Sequence, residues 1–375
     1  MHEERKRILK LVENGVISAE EAIVLLEKLG TTTEQKAPMA DSTKEKETFQ
    51  GEFTKEESKK EEEDPFLDDL KKDFNYFSTK VMDFVGDALN KVTGTNFSTM
   101  GKEGAVEWTI PLEGTFNSIS VDMPNGQLTV RDSADERAYL EVTSTPMLQI
   151  GSMKDLTEEE IREQFNYAVD GETLRIHHAA KMIKSEVIAY IPKGEYKKIR
   201  ANLFNGSFTM HNVDVEQVRV ETKNGSIKLA DIKFDSIEVE SVNGSIDIRD
   251  LTGRELEAET VNGRVYVDGK IQSLEGQSVN GHVVLTTRDH TAKLLKGQTV
   301  AGSIEVYIPK DLSLDGEVSS AFGKMDVKLS DVEFLQESNQ MFSKTTRFRK
   351  SLDHSSALSI KGETKTGSVI VRYTL

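Results

Sequence analysis

The sequence predicts a mainly β protein: a single-stranded parallel β-solenoid (β-helix) preceded by a small N-terminal α-helical hairpin and an amphipathic linker helix. Three observations carry that expectation. Asn-Gly recurs every 18 or 19 residues through the middle of the chain, at Asn205, Asn224, Asn243, Asn262 and Asn280. Apolar and polar residues alternate on both sides of each Asn-Gly, the period of a strand with one buried face. Separately, a stretch after Pro65 spaces its apolar residues three and four apart, the period of a helix with one apolar seam.

Residues 1–30 read as two short helices broken at Gly15. Ile8, Leu11 and Val12 form the apolar stripe of the first, and Ile23, Leu26 and Leu29 that of the second. Ser18 and Glu21 are spaced as a capping box, in which hydroxyl and carboxylate each satisfy a backbone N–H left unpaired at a helix start. Thirty residues cannot enclose a core, so both stripes are expected to pack on a second copy or another protein, making the hairpin an association module. A DNA-reading helix-turn-helix needs positive charge, and this segment holds five Lys/Arg against six Asp/Glu.

From residue 31 to 64 the composition turns to Lys, Glu, Ser and Thr, with Phe49 and Phe53 as its large apolar side chains. Such a segment buries too little to offset the entropy of ordering, and it reads as a flexible charged linker. Residues 65–93 follow as the amphipathic helix, with Leu67, Leu70, Phe74, Phe77, Val81, Phe84 and Ala88 on one seam. Its lysines are balanced by aspartates, so it lacks the cationic excess that favours anionic lipid. Packing on protein is the preferred role, with peripheral membrane contact through 66–92 as the other.

The β-solenoid is expected over residues 104–375, in repeats of about 19 residues. Each repeat reads like Ile237-Glu-Val239-Glu-Ser241-Val-Asn243-Gly244-Ser-Ile246-Asp-Ile248. An earlier copy stands at Asn125-Gly126, and degenerate copies at Ala301-Gly302, Phe322-Gly323 and Thr366-Gly367. A fixed period flanked by strands means one unit stacked on itself. Asn-Gly is also a hairpin turn, and a meandering antiparallel sheet is the alternative. The solenoid is preferred because winding one strand path puts equivalent residues in register, and Asn and Gly supply left-handed backbone for the corner. Val218, Val220, Ile227 and Leu229 then point inward, as do Ile237, Val239, Ile246 and Ile248 in the next coil and Leu256, Ala258, Val265 and Val267 after it. The Asn column reads as a structural turn ladder of side-chain amides, and Thr222, Ser241, Thr260, Ser278 and Thr299 as a second ladder of the same kind. Thr157 and Glu160 mark a short inserted helix.

Charge narrows the function. The 375 residues carry a net charge of -16, a field that repels nucleic acid. The outward positions sharpen that: Glu221, Glu240 and Glu259 share one column, and Glu238, Glu257 and Glu275 an adjacent one. Like charges at strand spacing oppose one another, and a cationic ligand would relieve them. These six residues are the candidate ligand-binding face, for a cationic peptide or a basic protein partner. With no cysteine there is no thiolate zinc site or thiol nucleophile. No phosphate loop, nucleophile elbow or metal-spaced histidine pair appears; His177 and His178 are adjacent and would point to opposite faces. Asp247, Asp250 and Asp268 with Arg249, Arg254 and Arg264 are the set a polysaccharide lyase would use. The expectation is a non-enzymatic protein without catalytic residues, cofactor or metal. No apolar signal core or stretch of about 20 uncharged apolar residues is seen, so the expected location is cytoplasmic.

The opening from Ile8 through Leu29 resembles the SHOCT-like helical hairpin, and the Val-Asn-Gly-Ser-Ile repeats resemble the β-strand-repeat, adhesin-like family. Together they are similar to the YvlB/LiaX-type proteins of Gram-positive bacteria. That resemblance implies a non-enzymatic regulator or surface-associated sensor of the cell-envelope stress response, linked to a two-component pathway and to cationic antimicrobial peptides. A structural, adhesin-like rod is the alternative.

Overall fold

The structure, a computed structural model, describes residues 105–147, 156–178, 182–340, 343–352 and 357–374. The chain divides into two compact units, Met1–Asp64 and Pro65–Leu375, and all described residues belong to the second. The hairpin residues Ile8, Leu11, Val12, Ile23, Leu26 and Leu29, the linker and the helix of 65–93 lie outside the described residues.

The strands are β1 (Val106–Pro111), β2 (Ser118–Asp132), β3 (Tyr139–Pro146), β4 (Phe165–Asp170), β5 (Thr173–His178), β6 (Ile183–Ile191), β7 (Glu195–Asn205) and β8 (Phe208–His211). The regular repeats follow as β9 (Asp214–Asn224), β10 (Ile227–Ala230), β11 (Lys233–Asn243), β12 (Ile246–Asn262), β13 (Val265–Asn280), β14 (Val283–Thr287), β15 (Leu294–Ala301) and β16 (Ile304–Ile308). The last are β17 (Leu314–Ser320), β18 (Met325–Lys328), β19 (Glu333–Gln340), β20 (Ser343–Lys350), β21 (Leu358–Thr364) and β22 (Val369–Tyr373). Helix α1 (Glu158–Glu163) interrupts them where expected, with Thr157 and Glu160 closing a reciprocal capping box.

In the regular stretch each coil is one long strand, an Asn-Gly corner and a short strand. The coils pair in parallel and in register: Ser241 lies opposite Thr222 and Thr260, and Asn243 opposite Asn224 and Asn262. This is the parallel solenoid; antiparallel pairs occur in strands that close the stack. β3 and β1 extend the sheet antiparallel beyond β6, β4 beyond β5, and β20 and β19 beyond β17. Ending the ladder this way keeps its terminal strands from offering an open parallel edge to another chain.

The order of coils departs from the order of the sequence at both ends. β2, which carries the first Asn-Gly, lies between the later β5–β6 and β7–β8. β21 and β22, the last strands, insert between β15–β16 and β17–β18. A repeat pattern read along the chain gives the content of each coil and not its neighbour, because long connections can return the chain to either side of a strand already laid down.

All the inward residues named from the sequence are buried. Two expectations about the corners need correction. The Gly of each central Asn-Gly is required by space and not by left-handed backbone: a Cβ on Gly244 would sit 2.0 Å from the carbonyl oxygen of Gly225, one coil away, and Gly225 stands likewise to Gly206. The left-handed residues are Asn212, Asp231 and Asp250, at φ of 56, 53 and 55°, at the opposite corner. Short polar side chains tolerate that conformation by bonding locally. Secondly, the Ser/Thr column is no side-chain ladder. Thr222, Ser241, Thr260, Ser278 and Thr299 point inward and donate to the carbonyl oxygens of Gly206, Gly225, Gly244, Gly263 and Gly281 at 2.8–3.0 Å. A buried hydroxyl needs such an acceptor, and the corner carbonyl is within its reach.

The Asn column is the amide ladder expected. Asn205 donates to Asn125, Asn224 to Asn205, Asn243 to Asn224, Asn262 to Asn243 and Asn280 to Asn262, all at 2.8–3.0 Å.

Candidate functional site

The outward side of the long strands carries the candidate face. Pairing places Glu221, Glu240, Glu259, Gln277 and Gln298 in one column. Arg219, Glu238, Glu257, Glu275 and Lys296 form the next, as the sequence predicted. Equivalent atoms therefore repeat about every 4.8 Å along the stack, the spacing of a β ladder.

The structure adds a distribution of charge that the columns alone did not give. Arg219 reaches Glu221 at 2.8 Å, Glu238 at 2.6 Å and Glu240 at 3.9 Å, so three of the six carboxylates bracket one guanidinium. Those hydrogen bonds and charges raise the Arg219 pKa, the bond to Glu221 first, against the opposing effect of burial. At the other end Lys296 lies 3.4 Å from Glu275. The strip is thus acidic in its middle and cationic at its ends.

Exposure along the strip is uneven. Glu259 is 7% exposed and Gln277 6%, whereas the Glu221 side chain keeps 20%. Part of the cause is the register: Glu259 is flanked by Glu240 and Gln277 across the ladder and by Glu257 and Val261 along its own strand.

A third outward column was missed in the sequence. Residues one before each Asn share the face of the Glu column by period two, and they are Phe204, Lys223, Val242, Val261, Val279 and Val300. All four valines are half-buried. Their signal was present in Val-Asn-Gly itself, yet the motif drew attention to its turn. The face is therefore amphipathic, with valines on one flank and carboxylates on the other.

The residues of the lyase alternative are spread over separate ion pairs. Arg249 bonds Asp247 at 2.6 Å, Arg254 bonds Asp235 at 2.7 Å, and Arg288 reaches Asp250 and Asp268 at 2.9 and 3.1 Å. Arg249 and Arg264 both stack on Tyr266, at 4.8 and 4.9 Å from the ring centre. His177 is exposed and His178 buried, on opposite faces as expected. Among the described residues no three His, Cys, Asp or Glu converge as metal ligands, and no helix is long and apolar enough to cross a membrane.

Comparison with known proteins places this fold. The family described as Toastrack DUF4097 matches residues 116–360, which take in the stack from just before β2 to β21. The chain belongs to the Toastrack family. A SHOCT-like domain matches residues 3–34, the segment read as a helical hairpin. The uncharacterized protein YvlB of Bacillus subtilis (strain 168) is 34% identical over 377 residues, covering all of both chains, so the chain is a YvlB homologue. Among solved structures, a candidate adhesin from Bacteroides fragilis is 12% identical, covers 72% of this chain and 98% of its own, and gives a TM-score of 0.40. A candidate lipid-binding protein from Parabacteroides distasonis is 13% identical over 73% of this chain and 98% of its own, at a TM-score of 0.36. In this Toastrack domain the core is filled mainly by aliphatic side chains, and the Glu columns lie on the outward side of the long strands.

Proposed function

We propose that this protein is a non-enzymatic binding and regulatory protein of the cell-envelope stress response, whose outward acidic strip takes a cationic peptide or a basic partner protein. The observation that carries the reading is the in-register stacking of Glu238 with Glu257 and Glu275, and of Glu240 with Glu259. Like charges this close repel one another; Arg219 and Lys296 neutralise part of the strip from within, and a cation supplied from outside would relieve it further. The SHOCT-like hairpin serves as the association module, and the charged linker gives it reach.

The test is binding of a lysine-rich amphipathic peptide to full-length protein. Replacing Glu238, Glu240, Glu257 and Glu259 by Gln should weaken binding at least tenfold at low salt with the β circular-dichroism spectrum unchanged. Equal affinity at low salt would rule out this face. The protein is proposed to act in the cytoplasm or in association with the cell surface. Protease treatment of intact and lysed cells separates the two: cleavage in intact cells favours direct sensing of peptides, and protection until lysis favours a cytoplasmic partner.

A further inference from the structure

We infer that the end of the stack built by β17, β18, β19 and β20 is a joint for a second copy of this chain. Two copies meet end to end about a two-fold axis at right angles to the stack, each filling a step that the other leaves. This surface is separate from the acidic strip and does not depend on what the strip binds.

The step comes from strand number. β17 runs to the corner at Phe322-Gly323 and β18 runs away from it. The long side continues for two more strands, β20 against β17 and β19 against β20, whereas the short side stops at β18, whose partner among the described residues is β22. The long side therefore projects by ~10 Å, two strands at about 4.8 Å each. A two-fold axis through the corner column exchanges long and short sides. It lays the projecting β20 and β19 of one copy beyond the β18 of its partner, and two strands fill a two-strand step on both sides at once. Directions agree as well. β20 is antiparallel to β17 and β19 to β20, so β19 runs toward the corner and meets a β18 running away from it, as an antiparallel pair. Val369 donates to the carbonyl oxygen of Lys324, so Lys324 and Asp326 turn their backbone groups to β22 and Met325 and Val327 turn theirs to the step.

The core is unfinished at this end. Met325 and Val327 hold inward positions on β18 yet are half-buried, and Phe334, opposite the buried Phe348, keeps 48% exposure. The other end is closed: Val106, Ile110, Leu140 and Val142 are buried, and Trp108 packs edge-on against Phe165. In the joined pair Phe334 faces the partner's Phe348 across the core, and the partner's Phe334 lies against Val327. Charge favours a second copy here. The chain carries -16 overall, which opposes the approach of two copies, but residues 321–350 hold six Lys/Arg against four Asp/Glu. Lys344 stands opposite Ser320 and Glu337 opposite Thr346, both buried, so both charged residues face inward near the corner. The axis brings each Glu337 level with the partner's Lys344 and gives the joint two ion pairs.

Joined copies form one continuous β stack. Because the axis exchanges the sides, the long strands of the two copies lie on opposite sides of that stack, and so do their acidic strips.

Sedimentation velocity of the full chain over a range of concentrations tests the joint. A dimer is expected, and Phe334→Asp should raise its dissociation constant at least tenfold with circular dichroism unchanged, since the side chain is already half exposed. Tyr167→Asp, on β4 at the other end and 46% exposed, should leave it unchanged. The charge pair separates this joint from self-association through the N-terminal hairpin. Glu337→Lys and Lys344→Glu should each weaken the dimer at least tenfold, and an equal mixture of the two variants should recover it, because each mixed pair again sets Lys against Glu. Monomer at every concentration, a dimer unmoved by Phe334→Asp, or a mixture no tighter than either variant alone would overturn the inference.

Discussion

Asn243 donates its side-chain amide to Asn224 at 2.9 Å and accepts one from Asn262 at the same distance, so each amide serves as donor to one coil and acceptor to the other. Replacing Asn243 by Ala removes both bonds at a partly solvated corner, and the expected loss is about 1–2 kcal/mol in urea unfolding. Asn243→Asp keeps the acceptor, loses the donor and sets a carboxylate against the Asn224 carbonyl oxygen. It should be the worse of the two at neutral pH and recover toward the Ala variant as the carboxyl protonates at acidic pH.

The corner glycine is the more severe test. A methyl group on Gly244 would meet the Gly225 carbonyl at 2.0 Å, a contact relieved only by moving one coil away from the next. Gly244→Ala should lose more than about 3 kcal/mol or fail to accumulate as soluble protein, the overpacking extreme of single substitutions. Gly194, where an added Cβ meets nothing within 4 Å, is the matched control and should tolerate Ala with little change. Comparable losses at both positions would refute the steric account.

The acidic strip predicts the direction of a change at its cationic end. Arg219 already neutralises part of the strip through Glu221, Glu238 and Glu240. Arg219→Gln should therefore raise affinity for a lysine-rich peptide several-fold at low ionic strength, and the gain should vanish near 1 M salt, where screening reaches about 3 Å. Isothermal titration at two salt concentrations measures it. A loss of affinity would mean that Arg219 holds the carboxylates in place for binding.

What the sequence made legible follows from what repeats. The inward columns through Val239 and Ile248, the Asn ladder and the register of Glu240 on Glu221 all come from one period. The capping box at the start of α1 was legible for a local reason: Thr157 and Glu160 satisfy each other within one turn. The coil order was not legible, since whether β21 lies beyond β17 or inside it depends on pairing between residues such as Leu295 and Ile360. Nor was the inward hydroxyl bonding of Thr260, which depends on the depth of the corner carbonyl. The valine column was visible in the sequence but had no weight until the sheet showed which face it shares.

Acid and alkali should destabilise the fold through different groups. The carboxyls of Glu160, held by the Thr157 backbone, Glu172, held by Asn117 and Lys197, and Asp235, held by Arg254, all sit below their ordinary values. Their contribution is present above the ordinary carboxylate pKa and lost as pH falls through the lowered values. Burial pushes the Tyr196 phenol in the other direction, up to about 12, and its hydroxyl donates to the Pro192 carbonyl at 2.9 Å. The neutral form is the folded one, so this contribution is intact below pH 10 and lost between about 10 and 12. Melting temperatures across pH 3–12 should fall on both sides. Tyr196→Phe should be less stable at pH 7 by about 1 kcal/mol for the lost bond, yet decline less steeply above pH 10.

The stack contains a natural shorter coil. Asn262 and Asn280 are 18 residues apart where Asn243 and Asn262 are 19 apart, and pairing shows which residue is missing. Arg249 lies opposite Asp268 and Leu251 opposite Gly269, so the left-handed Asp250 has no counterpart in the next coil. The longer coils carry Asn212, Asp231 or Asp250 as one extra corner residue, and the shorter coil turns the same corner without it. Deleting Asp250 should therefore convert its coil to the shorter form, keeping every inward residue inward, at a cost of no more than about 2 kcal/mol. The loss of its ion pair with Arg288 is part of that cost. Deleting Glu240, in the middle of a long strand, shifts the pleat by one and turns Val239 or Ser241 toward solvent, and this variant should not fold. Circular dichroism and urea unfolding of the two deletions decide the point. Equal damage from both would show that the corner residue is essential to the winding, and the 18-residue spacing would then need another explanation.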